Sequence, residues 1–218
     1  MTGRDLRQHF DLADLSGHDV YKLLSLAVQP RPIAWVSTVS AAGDRNLAPF
    51  SFFTVASREP ATVLISIGQR PSDPIRPKDT LINLRTTGEM VVNIPALEQL
   101  EAVALSSRET EDDEFALAGL TTVPSQRVEP ATIAGAIAAL ECHIVAEHTV
   151  GTDVVVYGEV IAASLRTGLT DTAFHIDTPT QGFLGRLAGP YFTTVTESLP
   201  QRAGLGVDPI PVDGEVRS

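Results

Sequence analysis

The sequence predicts a mainly β protein with short helices, built as an antiparallel barrel that carries helical insertions. Two observations predict this class. Six runs are rich in β-branched and aromatic residues and are separated by turn signals, whereas only three segments have helical periodicity. A doubly wound α/β fold would alternate strands and helices throughout, and the sequence does not. The six predicted strands are Ile33–Val39, Leu47–Ala56, Thr62–Ile67, Met90–Ile94, Ala138–Val150 and Asp153–Leu165.

The first half of the chain predicts one helix followed by three strands. Apolar residues recur at helical spacing over His18–Val28, and Pro30 follows them, which predicts a helix that ends there. The first two strands are joined by the segment SAAGDRN, a turn-rich sequence that favours a hairpin. The turn Arg58-Glu59-Pro60 then precedes the third strand.

The second half predicts two short helices and a long closing hairpin. A loop with three prolines over Gly68–Asp79 leads into a helix at Thr80–Arg85, which Gly88 ends. Pro95 opens a further helix that reaches about Ser106. Gly151-Thr152 is a turn signal between the last two strands.

The 218-residue chain is long enough for one domain with its own core. We expect a single barrel domain over residues 1–195, with residues 1–19 as a lead-in and residues 196–218 as a C-terminal tail.

Composition limits the classes of partner. The chain has 27 acidic and 16 basic residues and a formal charge of −11, which argues against nucleic acid or an anionic membrane as the main partner.

The single cysteine, Cys142, excludes an intrachain disulfide, and its apolar neighbours predict a core thiol. Among the five histidines only His143 and His148 have a spacing to consider, and five residues apart on a predicted strand they point to opposite faces, so no metal site is expected. With no secretory signal and no apolar run of membrane-spanning length, a cytoplasmic protein is expected.

The charge is unevenly distributed. Residues 29–88 contain seven basic and four acidic side chains, a local charge of +3, so the remainder carries −14. A small anionic ligand requires such a basic zone, although solvated surface arginines would give the same count.

Within this zone, several residues suit the phosphate of a mononucleotide. Arg76, Lys78 and Thr80 supply positive charge and a hydroxyl donor at the start of a predicted helix, where backbone N–H groups also attract anions. Asp79 opposes an anion by its charge but suits a helix cap. Arg31, Ser37 and Thr38 are available from the first strand.

The proline-interrupted strand Ala48-Pro49-Phe50-Ser51-Phe52-Phe53 suits a planar heteroaromatic ring. It offers apolar walls and backbone N–H groups that proline leaves unpaired at a sheet edge. A kinked edge strand with core aromatics explains the same pattern without a ligand.

Other common site motifs do not occur. The sequence lacks G-x-G-x-x-G after a strand, the Walker A sequence, H-E-x-x-H and G-x-S-x-G. It also offers no convincing acid–base pair, so no catalytic residue is assigned.

Longer segments carry a family resemblance. PRPIAWVST, then NLAPFSFF, KDT at Lys78–Thr80 and VVNI at Val91–Ile94 occur in the order typical of the flavin reductase-like family of FMN-binding split-barrel proteins, which the chain resembles over about residues 20 to 195. The resemblance implies a six-stranded split barrel that forms a homodimer and binds FMN near the subunit interface. The cofactor-binding residues predicted from chemistry and resemblance together are Arg31, Ser37, Thr38, Asn46, Ala48, Pro49, Phe50, Ser51, Phe52, Phe53, Arg76, Lys78, Asp79, Thr80, Arg186 and Tyr191, the last two as candidates that line the site from the partner subunit.

The resemblance also implies an activity. An NAD(P)H-dependent flavin reductase would pass hydride from NADH or NADPH to FMN and could supply reduced flavin to a monooxygenase component. Two alternatives remain: an FMN protein that only carries electrons to a protein partner, and a barrel of this type that binds no flavin and acts as an interaction module. The sequence does not distinguish NADH from NADPH.

Overall fold

The computed structural model describes residues 7–110, 112–171, 175–176 and 178–199. Residues 1–6 of the expected lead-in and 200–218 of the expected tail lie outside this part. The described α-helices are α1 (Gly17–Ala27), α2 (Asp79–Thr87), α3 (Leu100–Leu105), α4 (Glu114–Leu117) and α5 (Thr178–Gln181). The described strands are β1 (Arg31–Pro32), β2 (Ala34–Val39), β3 (Arg45–Phe50), β4 (Phe53–Arg58), β5 (Ala61–Ile67), β6 (Glu89–Ile94), β7 (Thr122–Val123), β8 (Thr132–Ile133), β9 (Ala138–Val150), β10 (Asp153–Leu165), β11 (Leu184–Arg186) and β12 (Phe192–Thr194).

The main sheet has seven antiparallel strands in the order β3-β2-β6-β9-β10-β5-β4. Its two edge strands, β3 and β4, are consecutive in the chain and are separated only by Ser51 and Phe52. Three peptide units span at most about 11 Å, whereas a flat sheet of seven strands would be about 29 Å wide. The sheet must therefore curl until its edges meet, which makes it a barrel.

The two edge strands, β3 and β4, meet without forming a hydrogen-bonded ladder, and we call the line along which they meet the seam. β3 pairs with β2 and β4 pairs with β5, and the Phe52 carbonyl accepts a hydrogen bond of 2.8 Å from the Ser66 N–H. The predicted single strand Leu47–Ala56 is therefore wrong: the chain crosses the seam at Ser51-Phe52 and continues as a strand with a different partner. The mainly antiparallel split barrel itself is confirmed. Its main sheet has seven strands and not the expected six, because Leu47–Ala56 contributes to two of them.

The barrel interior is an apolar cluster to which most strands of the main sheet contribute alternate residues. Along β2, Ala34 and Val36 belong to this cluster, while Trp35 belongs to a second cluster outside the barrel. Helix α2 closes the interior with Leu81 and Leu84. The alternation follows from the two-residue period of a strand, and here both faces are covered.

The outer cluster joins β2 and β3 to the helical insertions. Trp35 is fully buried, and its indole N–H donates to the Ser106 hydroxyl at 2.9 Å, immediately after α3. Phe115 of α4 and Ile133 of β8 pack in the same cluster. These contacts place α3 and α4 beside the β3 edge.

Two predicted helices are confirmed within a residue or two, and one is wrong in extent. α1 and α2 cover the predicted segments, and α2 ends at Gly88, which has a φ of 72°. The helix predicted from Pro95 begins as a 3-10 turn at Leu97–Gln99 and becomes α-helical only at Leu100. The cause is Ala96, whose bridge to Phe183 keeps the backbone extended there.

Smaller sheets complete the fold. β1, β11 and β12 form a three-stranded sheet, and β7 pairs with β8. Within the described ranges, no helix combines the length and hydropathy that a membrane span requires.

The predicted core position of Cys142 is confirmed. Its side chain is fully buried beside Met90 and faces the backbone of Gly158 on the neighbouring strand. Burial raises the pKa of the Cys142 thiol to about 12, so it remains protonated at neutral pH.

A side chain at Gly158 would force its neighbours in the barrel interior to move. A Cβ atom there would lie 2.5 Å from the Met90 methyl group and 3.1 Å from the Cys142 Cβ. We expect Gly158→Ala to lower the free energy of unfolding by about 1–3 kcal/mol through overpacking, measured by urea denaturation.

Gly17→Ala is the matched control, because a Cβ atom at Gly17 meets nothing within 4 Å. Equal stability of the two variants would contradict the packing described for the barrel interior.

Candidate functional site

A groove follows the β3 edge and consists of three adjoining cavities. The inner chamber, of about 390 Å³, lies between α3 and the β11–β12 hairpin. The corner, of about 70 Å³, shares Pro49, Lys78 and Ser107 with it. The outer chamber, of about 690 Å³, shares Asn46, Arg70 and Asp79 with the corner. The groove therefore passes from the inner chamber through the corner into the outer chamber.

The corner lies at the N-terminus of α2. Lys78 occupies the N-cap position with an extended backbone, and no side chain caps the helix. Asp79 and Thr80, the first helical residues, line the corner. The first N–H groups of a helix lack intrahelical acceptors, so this end attracts an anion.

The amine of Lys78 adds a positive charge to the corner. It lies 5.8 Å from the centre of the Phe50 ring, and no carboxylate of the described residues lies within 4.0 Å of it. Burial lowers the pKa of Lys78, and Glu109 partly offsets that effect. A desolvated cation without an ion-pair partner is best satisfied by an anionic ligand.

Arg70 is a corner residue that the sequence analysis did not select. Its guanidinium donates to Asp79 at 2.7 Å, while Arg76 donates to the other oxygen of Asp79 at 3.1 Å. The Nε of Arg70 is buried and has no hydrogen-bond partner among the described residues. Arg70 is nine residues from Asp79 in the three-proline loop, so only the folding of that loop reveals the contact.

A polar network lies directly beneath the corner. The Asn46 amide donates to the hydroxyls of Thr38 at 3.1 Å and Thr80 at 3.0 Å, and the Asn83 amide also donates to Thr38, at 3.1 Å. The network fastens β2 and β3 to the first turns of α2. Because the Thr80 hydroxyl accepts from Asn46, its own proton can be donated to an anion in the corner.

The predicted residues Ala48, Pro49 and Phe50 also line the corner, and Ser51 lines the inner chamber. The structure therefore brings Asn46, Ala48, Pro49, Phe50, Ser51, Lys78, Asp79 and Thr80 together along the groove. Arg76 lines the outer chamber. Arg186 reaches the inner chamber and stacks on Phe192, with its guanidinium carbon 4.5 Å from the ring centre.

Other predicted residues lie away from the groove. Phe52 and Phe53 line an apolar cleft of about 530 Å³ beside α1. The Tyr191 side chain is 68% exposed and does not line the inner chamber. Ser37 points to the opposite face of β2 from Thr38, where its hydroxyl donates to the Ala131 carbonyl at 2.8 Å.

Arg31 is buried in a structural role. Its guanidinium donates to the carbonyls of Ser25 at 2.7 Å, Val28 at 2.8 Å and Leu187 at 3.2 Å, and its Nε donates to Ser51 at 3.3 Å. Burial lowers the pKa of this guanidinium from its usual value. These bonds hold the end of α1 and the β11–β12 hairpin beside the seam.

The opposite wall of the corner also escaped the sequence analysis. It is the loop after α3, which contributes Ser107, Arg108 and Glu109. No motif signals this loop, because its approach to the corner depends on the packing of α3 against Trp35.

Glu114 lines both the corner and the outer chamber. Its carboxylate accepts the Leu47 N–H at 3.1 Å, and burial raises the pKa of this carboxyl. This hydrogen bond thus fixes the position of β3 relative to α4.

Together, the geometry suits an elongated ligand with an anion at one end. The corner offers an uncapped helix, the Lys78 amine and the Thr80 hydroxyl, and the inner chamber offers the apolar surfaces of Pro49, Pro190 and Phe192. The class of protein is therefore an antiparallel split barrel with a groove for such a ligand.

A family model described as a flavin reductase like domain matches residues 27–180. The chain belongs to this family. An uncharacterised protein of Aquifex aeolicus is 35% identical over 84% of this chain and 93% of its own length.

Two solved structures resemble the fold closely. The 2-nitrobenzoate 2-nitroreductase of Pseudomonas fluorescens has a TM-score of 0.82 at 25% identity, covering 92% of this chain and 98% of its own. The nitrilotriacetate monooxygenase component B of Bacillus cereus has the same TM-score at 23% identity, covering 91% of this chain and 100% of its own.

We expect Arg31→Ala to destabilise the fold, and not only to remove a positive charge from the protein. Three backbone carbonyls would lose a charged donor, so the free energy of unfolding should fall by about 2–4 kcal/mol. Urea denaturation tests this, with Arg58→Ala, at an exposed arginine of β4, as the control. A decrease in the free energy of unfolding no larger than that of the control would contradict the structural role of Arg31.

Proposed function

We propose that the protein is an FMN-binding, NAD(P)H-dependent flavin reductase. The observation that carries this proposal is the corner, where an unpaired, partly buried Lys78 amine meets an uncapped helix at one end of a groove. Membership of the flavin reductase-like family supports the same ligand.

In this proposal the phosphate of FMN occupies the corner. Lys78 supplies the charge, the first N–H groups of α2 and the Thr80 hydroxyl donate hydrogen bonds, and the buried Nε of Arg70 gains the acceptor that it lacks. Asp79 holds the guanidinium of Arg70 at the corner, so its carboxylate acts on the ligand through that arginine.

The flavin ring would extend from the corner into the inner chamber along the seam. The backbone ladder is interrupted at Ser51-Phe52, where peptide groups can face the polar edge of a ring. Pro49, Pro190 and Phe192 line the same chamber and offer apolar surface to the ring.

The mechanism assigns binding and orientation to this chain. When bound, FMN supplies the ring that accepts hydride from the nicotinamide. The corner fixes one end of the cofactor, the network under Thr80 keeps the corner rigid, and the walls of the inner chamber exclude water from one face. No proton-transferring side chain is assigned, because hydride transfer between the two rings does not require one.

A homodimer is part of the proposal. Val28, which lines the apolar cleft between α1 and the unpaired edge of β4, is 60% exposed, and Val55 of β4 is 67% exposed. A second copy would cover this surface and protect the edge strand. Use of the reduced flavin by a monooxygenase component, and a cytoplasmic location, also belong to the proposal.

The first test is the activity of the purified chain. We expect it to bind FMN, to absorb in the visible range and to oxidise NADH or NADPH when FMN is supplied, measured at 340 nm for each nicotinamide. Bound FMN that photoreduces but accepts no hydride from either nicotinamide would instead support the electron carrier. A colourless protein that does not quench FMN fluorescence would contradict both.

The second test concerns the phosphate. Lys78→Ala combined with Arg76→Ala should weaken FMN binding about tenfold or more. The phosphate loses its charged contact with Lys78, worth about 1.5–3 kcal/mol, and the Asp79 carboxylate in the corner loses the neutralising charge of Arg76. Riboflavin, which lacks the phosphate, should be affected much less, and fluorescence quenching measures both affinities.

The matched control removes two positive charges elsewhere, with Lys22→Ala and Arg58→Ala on exposed positions of α1 and β4. If the two double variants bind FMN equally well, the phosphate does not occupy the corner.

A further inference from the structure

We propose that the outer chamber selects the flavin mononucleotide against the dinucleotide FAD, and that carboxylates which line only this chamber carry the discrimination. This inference rests on the proposed function, because it places the cofactor phosphate in the corner. It concerns the region that an FMN phosphate does not reach and that the second phosphate and adenosine of FAD would have to enter.

The connectivity of the cavities sets the path of a longer ligand. The inner chamber meets the corner on the side of Pro49 and Ser107, whereas the outer chamber meets it on the side of Asn46 and Arg70. With the ring in the inner chamber and one phosphate in the corner, the continuation of a dinucleotide enters the outer chamber.

The outer chamber has room for that continuation, so space alone does not exclude it. Its volume of about 690 Å³ exceeds that of the inner chamber, and its lining is largely polar, with Ser40, Ser72 and Asn83 among the walls. Discrimination must therefore come from charge.

The charge of this lining is negative. Six carboxylates and three guanidinium groups line the chamber. The carboxylates belong to Asp44, Asp73, Asp79, Glu109, Asp112 and Glu114, and the guanidinium groups to Arg45, Arg70 and Arg76.

The three guanidinium groups are already paired. Arg70 and Arg76 share the carboxylate of Asp79, and Arg45 donates to Asp113. A pyrophosphate entering the chamber would have to displace these partners or remain unneutralised beside carboxylates. Lys78, which has no carboxylate partner, lines the corner but not the outer chamber. Its charge therefore serves the corner phosphate and not a second phosphate in the outer chamber.

Asp44, Asp73 and Asp112 line the outer chamber but not the corner, and the last two can be neutralised without loss of shape. Asp112 is exposed and accepts the Thr110 hydroxyl at 3.3 Å, and Asp73 accepts the N–H groups of Ile75 and Arg76. Asparagine can accept the same bonds in such turns. The double variant Asp73→Asn with Asp112→Asn therefore removes charge while the loop contacts persist.

The test measures dissociation constants of the full chain for FMN and FAD by fluorescence quenching. We expect the wild type to bind FMN at least about tenfold more tightly than FAD. The double variant should reduce this ratio to about threefold or less, mainly through tighter FAD binding. Added salt should reduce the wild-type ratio more than that of the variant, since these charges are solvent-exposed.

A matched control removes two carboxylates outside the groove, with Glu101→Gln on α3 and Glu59→Gln after β4. This control should leave the ratio at the wild-type value. Equal wild-type affinity for the two flavins, or a ratio that the Asn variant does not change, would overturn the inference while leaving the proposed function intact. Failure of the chain to bind either flavin would instead overturn the proposed function.

Discussion

The closure of the sheet at Ser51-Phe52 is the constraint on which the rest of the molecule depends. Because two residues connect the opposite edges of a seven-stranded sheet, the sheet has to form a barrel, and the edges have to meet there. The same connection interrupts the backbone ladder, and Pro49 and Ser51 beside it line the inner chamber. The candidate groove follows this seam, which makes it a consequence of barrel closure.

Two devices keep the seam in register with the helices that complete the groove. Arg31 joins the end of α1, Ser51 and the β11–β12 hairpin through four hydrogen bonds. On the other side, the amides of Asn46 and Asn83 meet at Thr38 and connect β2 and β3 to α2. A buried polar group without partners is costly, so each device defines one arrangement of the elements that it joins.

Local signals in the sequence sufficed for five of the six predicted strands and for α1 and α2. They also sufficed for most of the corner, because Lys78-Asp79-Thr80 and Asn46–Phe53 are contiguous segments with distinct chemistry. What escaped prediction depends on contacts between distant segments. The division of Leu47–Ala56 into two strands reflects two different pairing partners, which no periodicity within that segment encodes. Arg70 and the Ser107–Glu109 wall reach the corner only through the three-proline loop and the packing of α3.

The charge distribution illustrates the difference between composition and placement. The local charge of +3 over residues 29–88 suggests a broad basic surface, yet the fold pairs Arg45 with Asp113 and Arg85 with Glu147, both from the acidic remainder of the chain. Arg70 and Arg76 are held by Asp79 in the same way. Lys78 has no such partner, and it stands where an uncapped helix adds to its potential. Asp79, Glu109 and Glu114 line the same corner. The positive potential is therefore local to the Lys78 amine and the first N–H groups of α2. A negative protein can therefore bind a small anion at one point while its remaining surface repels larger polyanions.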